Sequence, residues 1–362
     1  MQYSRSEIEV QKDALMNLRQ IDSSFHNDPA DNAVVLKTEE FGFSSNNITY
    51  ALLGDRFGYW GFFPASAGYG ITPVWGFATV IESNTPELEV GEQVYGYLPM
   101  ATHLVVHADK ITDHSFMDVN PKRQSISPVY DQYIRCKTDP SYSDALKTWI
   151  LTFRPLFTTS FVLAYALKER KCDEQATIWM TSASSKTAYG TAQILREVMP
   201  NARLMGITSA KQVDFVEQTG CYDSVFTYDQ LDENTIGNSD WLLDFAGDQS
   251  RLVGWRASHE NAKERTLLIG ATDVGAQEIA RTSTVGHVFF APDEVRNFTK
   301  SWGAKTFQER YVQHWRGFIE HFQSILQEQS HTGVQAIVKE FQAFLNGEVD
   351  PRTMHVMRFN QD

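Results

Sequence analysis

Ala176-Thr-Ile-Trp-Met-Thr181-Ser-Ala-Ser-Ser-Lys186-Thr187 is the stretch on which the fold turns. Ala176–Thr181 is a short apolar run of the kind buried in a parallel sheet, and Ser182–Lys186 is a tight polar turn. Thr187–Met199 then sets Ala188, Ala192, Leu195 and Met199 on one helical face, and Pro200 closes it. The alternation continues outward. Arg203–Ile207 predicts a second strand, and Lys211–Thr219 a helix ending at Gly220. Ser224–Phe226, Trp241–Phe245 and Thr266–Ile269 predict further strands. Strands alternating with helices in this way predict a doubly wound parallel sheet, covered on both faces.

In such a sheet the turn after the first strand is the prime phosphate site, because free N–H groups at the helix start face it. Here the turn holds Ser182, Ser184, Ser185, Lys186 and Thr187, with none of the glycines of GxGxxG. Small side chains still let a phosphate approach the backbone, and the hydroxyls and the lysine add donors. An ordinary serine N-cap with a solvated lysine would read the same way. After the second strand comes Gly206-Ile-Thr-Ser-Ala-Lys211, with no acid before Asp214. A rim of Ser209 and Lys211 suits the 2′-phosphate of NADP rather than the ribose hydroxyls of NAD. Thr208 as a simple helix cap is the rival there. Lys186-Thr187 with Asp244 also imitates an NTPase. A P-loop, however, needs glycines where Met180 and Ser185 stand.

Upstream the texture is different. Residues 1–30 are polar, with one weak helical stretch, and read as an arm. Ala33–Lys37, Val74–Glu82, Gln93–Leu98 and Thr102–His107 are short β-like runs between Gly and Pro, predicting a β-barrel or sandwich. Phe57–Gly70 is aromatic and glycine-rich. Residues 111–150 form a polar excursion with a short helix, and Thr158–Lys168 has a helical period. After about residue 290 the chain reads as helical to its end, with anchors at Trp302, Phe307, Tyr311, Trp315 and Phe318. The expected division is 1–150, 151–290 and a tail of 291–362 that packs back on the first domain.

Composition narrows the function. The chain has 362 residues, 42% of them apolar, and a net charge of −13, which argues against nucleic acid because phosphate contacts need clustered Lys and Arg. No uninterrupted apolar run approaches the roughly 20 residues of a membrane span. Cys136, Cys172 and Cys221 make neither a zinc spacing nor an even disulfide set, so a reduced, cytoplasmic setting is expected. His103 and His107 sit four apart on a predicted strand, roughly 13 Å, too far to share an ion. No metal site is expected.

Several stretches together carry a resemblance: Val34–Gly42 (VVLKTEEFG), Trp75–Glu82 (WGFATVIE) and Val90–Gly96 (VGEQVYG), then Phe161–Leu167, Thr181–Thr187, Trp241–Gly247 and Thr266–Gly270. Across about residues 30–290 the chain resembles the zinc-independent quinone and enoyl reductase branch of the medium-chain dehydrogenase/reductase superfamily. More narrowly, SSNNITYALLGD, PVWGF, VYGYLPM and SASSKTAYG resemble a family in that superfamily known mainly as a domain of unknown function.

The resemblance implies an α/β protein with a GroES-like barrel domain and a Rossmann-type domain, and by analogy a homodimer. It implies NADPH as cofactor, with the 2′-phosphate held near Ser209, Lys211 and Tyr228, and Phe245, Gly247 and Gly270 bordering the nicotinamide. It also implies reduction of an activated C=C or C=O in a small molecule. No cysteine follows Gly42, where zinc-dependent relatives carry one. Without zinc, a hydrogen-bond donor must support the developing oxyanion. Enoyl reductases place a tyrosine in the segment matching Asn46–Tyr59, which gives Tyr50 first, Tyr59 second and Asn47 as a positioning donor. Each also reads as core packing. A protein that binds NADPH without turnover is the alternative.

Overall fold

Gly42 has no room for a side chain: a Cβ there would lie 2.0 Å from the carbonyl oxygen of Leu151. That close approach locks a central strand against a long helix in a computed structural model that describes residues 1–123, 127–170, 172–248, 254–255, 263–269 and 286–360. The chain divides into two units. The first holds Met1–Thr152, Glu328–Val349 and Thr353–Asp362; the second holds Phe153–Gln327 and Asp350–Arg352.

The first unit opens on a hairpin, β1 (Gln2–Gln11) and β2 (Leu18–His26), where the sequence suggested a weakly helical arm. Polar residues fill most of both strands, with Gln2, Ser4, Gln20, Asp22, Ser23 and Ser24 exposed, so they lack the sustained apolar alternation that reports a strand. The hairpin is tied to the rest of the unit through the Ile8 N–H, which donates to the Met100 carbonyl at 2.9 Å.

β3 (Ala33–Phe43) follows, then α1 (Ser45–Leu52), β4 (Tyr69–Gly70), β5 (Pro73–Ser83), β6 (Gln93–Pro99) and β7 (His103–Asp109). The excursion is not a loop. It supplies β8 (Ser115–Asp118), α2 (Pro128–Asp131) and β9 (Gln132–Arg135), and β8 and β9 complete the barrel. The ring runs β3-β5-β6-β9-β8-β7 and closes where β7 pairs with β3. Arg135 pins β9 through a bidentate ion pair with the buried Glu92.

α3 (Lys147–Glu169) runs from the first unit into the second. It is long and apolar enough to cross a membrane, but 72% of its most apolar window is buried inside the structure. The second unit then reads β10 (Thr177–Met180), α4 (Lys186–Val198), β11 (Arg203–Thr208), α5 (Val213–Gln218), β12 (Ser224–Thr227), β13 (Trp241–Asp244), β14 (Thr266–Leu268) and β15 (His287–Val288). The strands are parallel, in the order β12-β11-β10-β13-β14-β15. That is the Rossmann order, and the chain reverses direction across the sheet between β10 and β13. Trp179, Met205, Ile207, Leu242 and Leu268 form a core on this sheet. α6 (Ala291–Trp302) and α7 (Ala304–Phe322) complete the unit, with Phe157, Trp315 and Phe318 in mutual ring contact.

The chain then returns to the first unit. The tail read as helical contains two strands, β16 (Gln327–Thr332) and β17 (Thr353–Arg358), around α8 (Val334–Leu345). β17 pairs with β3 at Phe41–Phe43, beyond the residues that β7 occupies. A register irregularity between Thr38 and Glu40 separates the two stretches.

Candidate functional site

The strand-end turn of the second unit is built around one strained residue. Ser182 has φ of +46°, the left-handed region where this turn ordinarily has glycine. Its N–H donates to the Tyr228 hydroxyl at 3.0 Å, which ties the start of the turn to the end of β12. Ser185 is the N-cap of α4, its hydroxyl accepting from the Ala188 N–H. Ser184 accepts from the Thr208 hydroxyl at 3.4 Å. Serine thus replaces glycine here with side chains that take up the turn's own backbone and hydroxyl donors.

Lys186 opens α4 half-buried, not solvated as a plain N-cap reading would have it. Its Nζ lies 5.7 Å from the centre of the Phe153 ring. Burial pulls its pKa down from 10.5 to about 8, and the nearby charge of Asp350 only partly offsets that. A cation desolvated at a helix N-terminus is one whose energy an incoming anion lowers. Thr187 follows, its carbonyl accepting from the Ser160 hydroxyl at 2.8 Å. Ser209 starts the short turn after β11, and Lys211 is exposed on it.

At the reversal point a buried acid organises the neighbouring loop. Asp244, at the end of β13, accepts from the Thr181 hydroxyl at 2.7 Å and from the N–H groups of Ala246 and Gly247. Thr181 in turn accepts from the N–H of Phe245 and Ala246. This cluster holds Phe245 and Gly247, the latter at φ of +78°, beside the serine turn. Burial raises the Asp244 pKa from 3.8 to about 6. The turn therefore unites Ser182, Ser184, Ser185, Lys186, Thr187, Ser209, Tyr228, Phe245 and Gly247 at one end of the sheet, with Lys211 at its rim. Gly270 lies outside the described residues.

The tyrosines lie in the first unit. α1 begins with a capping box: the Ser44 hydroxyl accepts from the Asn46 N–H, and the Asn47 side chain accepts from the Ser44 N–H. The Asn47 amide nitrogen donates to the Pro73 carbonyl, so both ends of this side chain hold α1 in place. One turn on, Tyr50 packs 4.7 Å from Tyr59 and 5.5 Å from Tyr97, centre to centre. Its hydroxyl accepts from the Trp75 indole N–H at 3.1 Å and keeps its own proton to give. Tyr59 meets Tyr130 hydroxyl to hydroxyl at 3.4 Å. Burial pushes the pKa of Tyr50, Tyr59, Tyr97 and Tyr130 upward, so these phenols remain neutral donors. Arg123 borders the cage over Phe62 and Phe63 and is paired with Asp118.

A family described as a protein of unknown function (DUF2855) matches residues 41–350. The chain belongs to that family. No curated protein matches this DUF2855 chain in sequence. Solved structures match it along nearly its whole length. CurA from Vibrio vulnificus, in complex with NADPH, has a TM-score of 0.62 at 16% identity, covering 99% of this chain and 100% of that one. TarJ from S. aureus, in complex with NADPH, has 0.56 at 11%, covering 99% and 100%. Etr1p, in complex with NADP and crotonyl-CoA, has 0.56 at 13%, covering 98% and 100%. The DUF2855 chain therefore shares the fold of these structures, a GroES-like β-barrel and a separate Rossmann-like parallel sheet.

Sequence reasoning weighed Asp244 only within the rejected NTPase reading and did not name Trp75, Tyr97 or Tyr130 as one group. Asp244 had a signal in Leu242-Leu243-Asp244, an apolar strand ending in an acid at the reversal point. The cage had none, since its members come from α1, β5, β6 and α2.

Proposed function

We propose that this protein is an NADPH-dependent reductase, with no zinc in its hydride transfer, of an activated C=C or C=O group in a small, apolar or planar substrate. The observation that carries the reading is Lys186: a half-buried cation at the start of the first helix after the first strand of a Rossmann-ordered sheet. The residues present suit a dinucleotide. Ser182 and Ser184 are small enough for a phosphate to approach the turn, and Lys186 gains from a neighbouring anion. Ser209 and Lys211 would hold the 2′-phosphate. Asp244 and Thr181 fix Phe245 and Gly247, which would border the nicotinamide.

Bound NADPH would supply the hydride. Tyr50 would donate its proton to the substrate oxygen as charge develops there, with the Trp75 N–H holding the phenol in place. Tyr59 would take the same role in second place. The three cysteines are buried and form no disulfide, and Cys172 and Cys221 are raised by burial to about 12; this suits a reducing, cytoplasmic setting, and a homodimer is the proposed assembly.

The test is a fluorescence titration with NADPH and NADH of the wild type, Lys186→Ala and Lys211→Ala. Tighter binding of NADPH, with the preference erased in Lys211→Ala, is expected; binding of neither nucleotide would sink the reading. Tyr50→Phe should then lower kcat by roughly 10²–10³-fold with NADPH affinity unchanged. One feature favours a non-catalytic NADPH binder as the second reading: the Tyr228 hydroxyl occupies the Ser182 N–H. That reading requires bound NADPH to stay reduced with every quinone, enone and aldehyde offered.

A further inference from the structure

The C-terminal elements of the first unit bring together three side chains that the oxidoreductase reading does not use. At one end of the β16–β17 pair the Gln327 N–H donates to the Arg352 carbonyl, and at the other the Gly333 N–H donates to the Arg358 carbonyl. The sequence offset is the same at both ends, so the strands are parallel and α8 is the crossover between them. His331 comes from β16, Glu340 from α8 and His355 from β17.

Their donor atoms converge. His331 Nε2 lies 3.1 Å from His355 Nδ1, and His355 Nδ1 lies 3.0 Å from Glu340 Oε1. His331 Nδ1 faces the other carboxylate oxygen at 3.6 Å. One ligand atom from each residue falls within 4.8 Å of the others. Ligands about 2.0–2.1 Å from a tetrahedral ion lie about 3.3 Å apart, close to the 3.1 Å and 3.0 Å that separate His355 Nδ1 from the other two donor atoms. The site is partly shielded: the three side chains are 10%, 14% and 5% exposed, and Phe344 packs edge-on against His355.

We propose that His331, Glu340 and His355 bind a divalent transition-metal ion of the zinc class, with water completing its shell. Two imidazoles and one carboxylate are a mixed N/O set that suits zinc-like ions, whereas calcium and magnesium take oxygen ligands. Two imidazole nitrogens 3.1 Å apart must otherwise share a proton, and a divalent cation replaces it while balancing the carboxylate. The ion would tie β16, otherwise an exposed edge strand, to β17 and α8. It would serve the architecture, and it is independent of the nicotinamide chemistry.

Chelator-stripped protein titrated with Zn²⁺ by calorimetry, and with Co²⁺ by visible absorption, tests this. One ion per chain, a Co²⁺ d–d band and a higher Tm with Zn²⁺ but not with Mg²⁺ are expected. Glu340→Gln and His331→Gln, each checked for fold by circular dichroism, should weaken binding at least roughly tenfold. No stoichiometric uptake would overturn the proposal, as would uptake undiminished in the Glu340→Gln/His331→Gln double variant. A wild type whose Tm depends on pH alone, unchanged by Zn²⁺ or chelator, would mark a proton-sharing network instead. None of these readouts requires NADPH to bind.

Discussion

Lys186 and Asp244 are poised in opposite senses by the same cause, burial at the strand ends. Lys186, at about 8, is only half charged near pH 8, so a phosphate that raises its pKa must draw protons from solution. NADPH binding at pH 8 should therefore take up about half a proton per chain, read by calorimetry in buffers of different ionisation enthalpy. Binding with no proton linkage would place the phosphate away from Lys186. Asp244 is raised to about 6 against 3.8, so the folded chain holds a proton that the unfolded chain has released. Its contribution to stability is present below about pH 4 and is lost as the pH rises through about 6, on the order of 2–3 kcal/mol. Asp244→Asn should flatten that part of the stability–pH curve measured by urea unfolding; an unchanged curve would mean that other groups set it.

Among the elements, close approaches matter more than propensities. A Cβ at residue 42 would meet backbone rather than a movable side chain, so Gly42→Ala should cost about 1–3 kcal/mol or more, seen as a lower urea midpoint. A midpoint within error of the wild type would mean that α3 can shift freely from β3. Removing the α4 cap with Ser185→Ala should cost about 1 kcal/mol. The same scale explains what could be read in advance. The strands of the Rossmann-ordered sheet were legible because Ile178–Met180 and Trp241–Leu243 are buried, so the code is a run of apolar residues between turns. β1, β2 and β16 were not, because Gln2–Ser6, Gln20–Ser24 and Gln327–Ser330 are mostly polar and are held by backbone hydrogen bonds that any sequence can make. The serine turn was visible as a turn. That Tyr228 and Ser185 would satisfy it, or that His331 and His355 would meet, depends on pairings between distant segments that local pattern does not encode.

For the whole molecule, the ordering of the chain sets a constraint. The first unit is interrupted after Thr152 and completed by Glu328–Val349 and Thr353–Asp362, while Asp350–Arg352 belongs to the second unit. Deleting residues 328–362 should therefore act on both units. It removes β17 from β3, and it removes the Asp350 charge from Lys186, whose pKa should fall further. A truncated chain with the wild-type Tm and the wild-type proton uptake would contradict this division. The interrupted order also has a kinetic side. During synthesis the Phe41–Phe43 edge emerges about 310 residues before its partner His355–Met357. Until then an apolar strand end lies open to foreign strands, a window in which chaperone capture competes with self-association. In pulse-labelled refolding, amides of Phe41 and Phe43 should gain protection together with those of β17, later than the β5–β6 core.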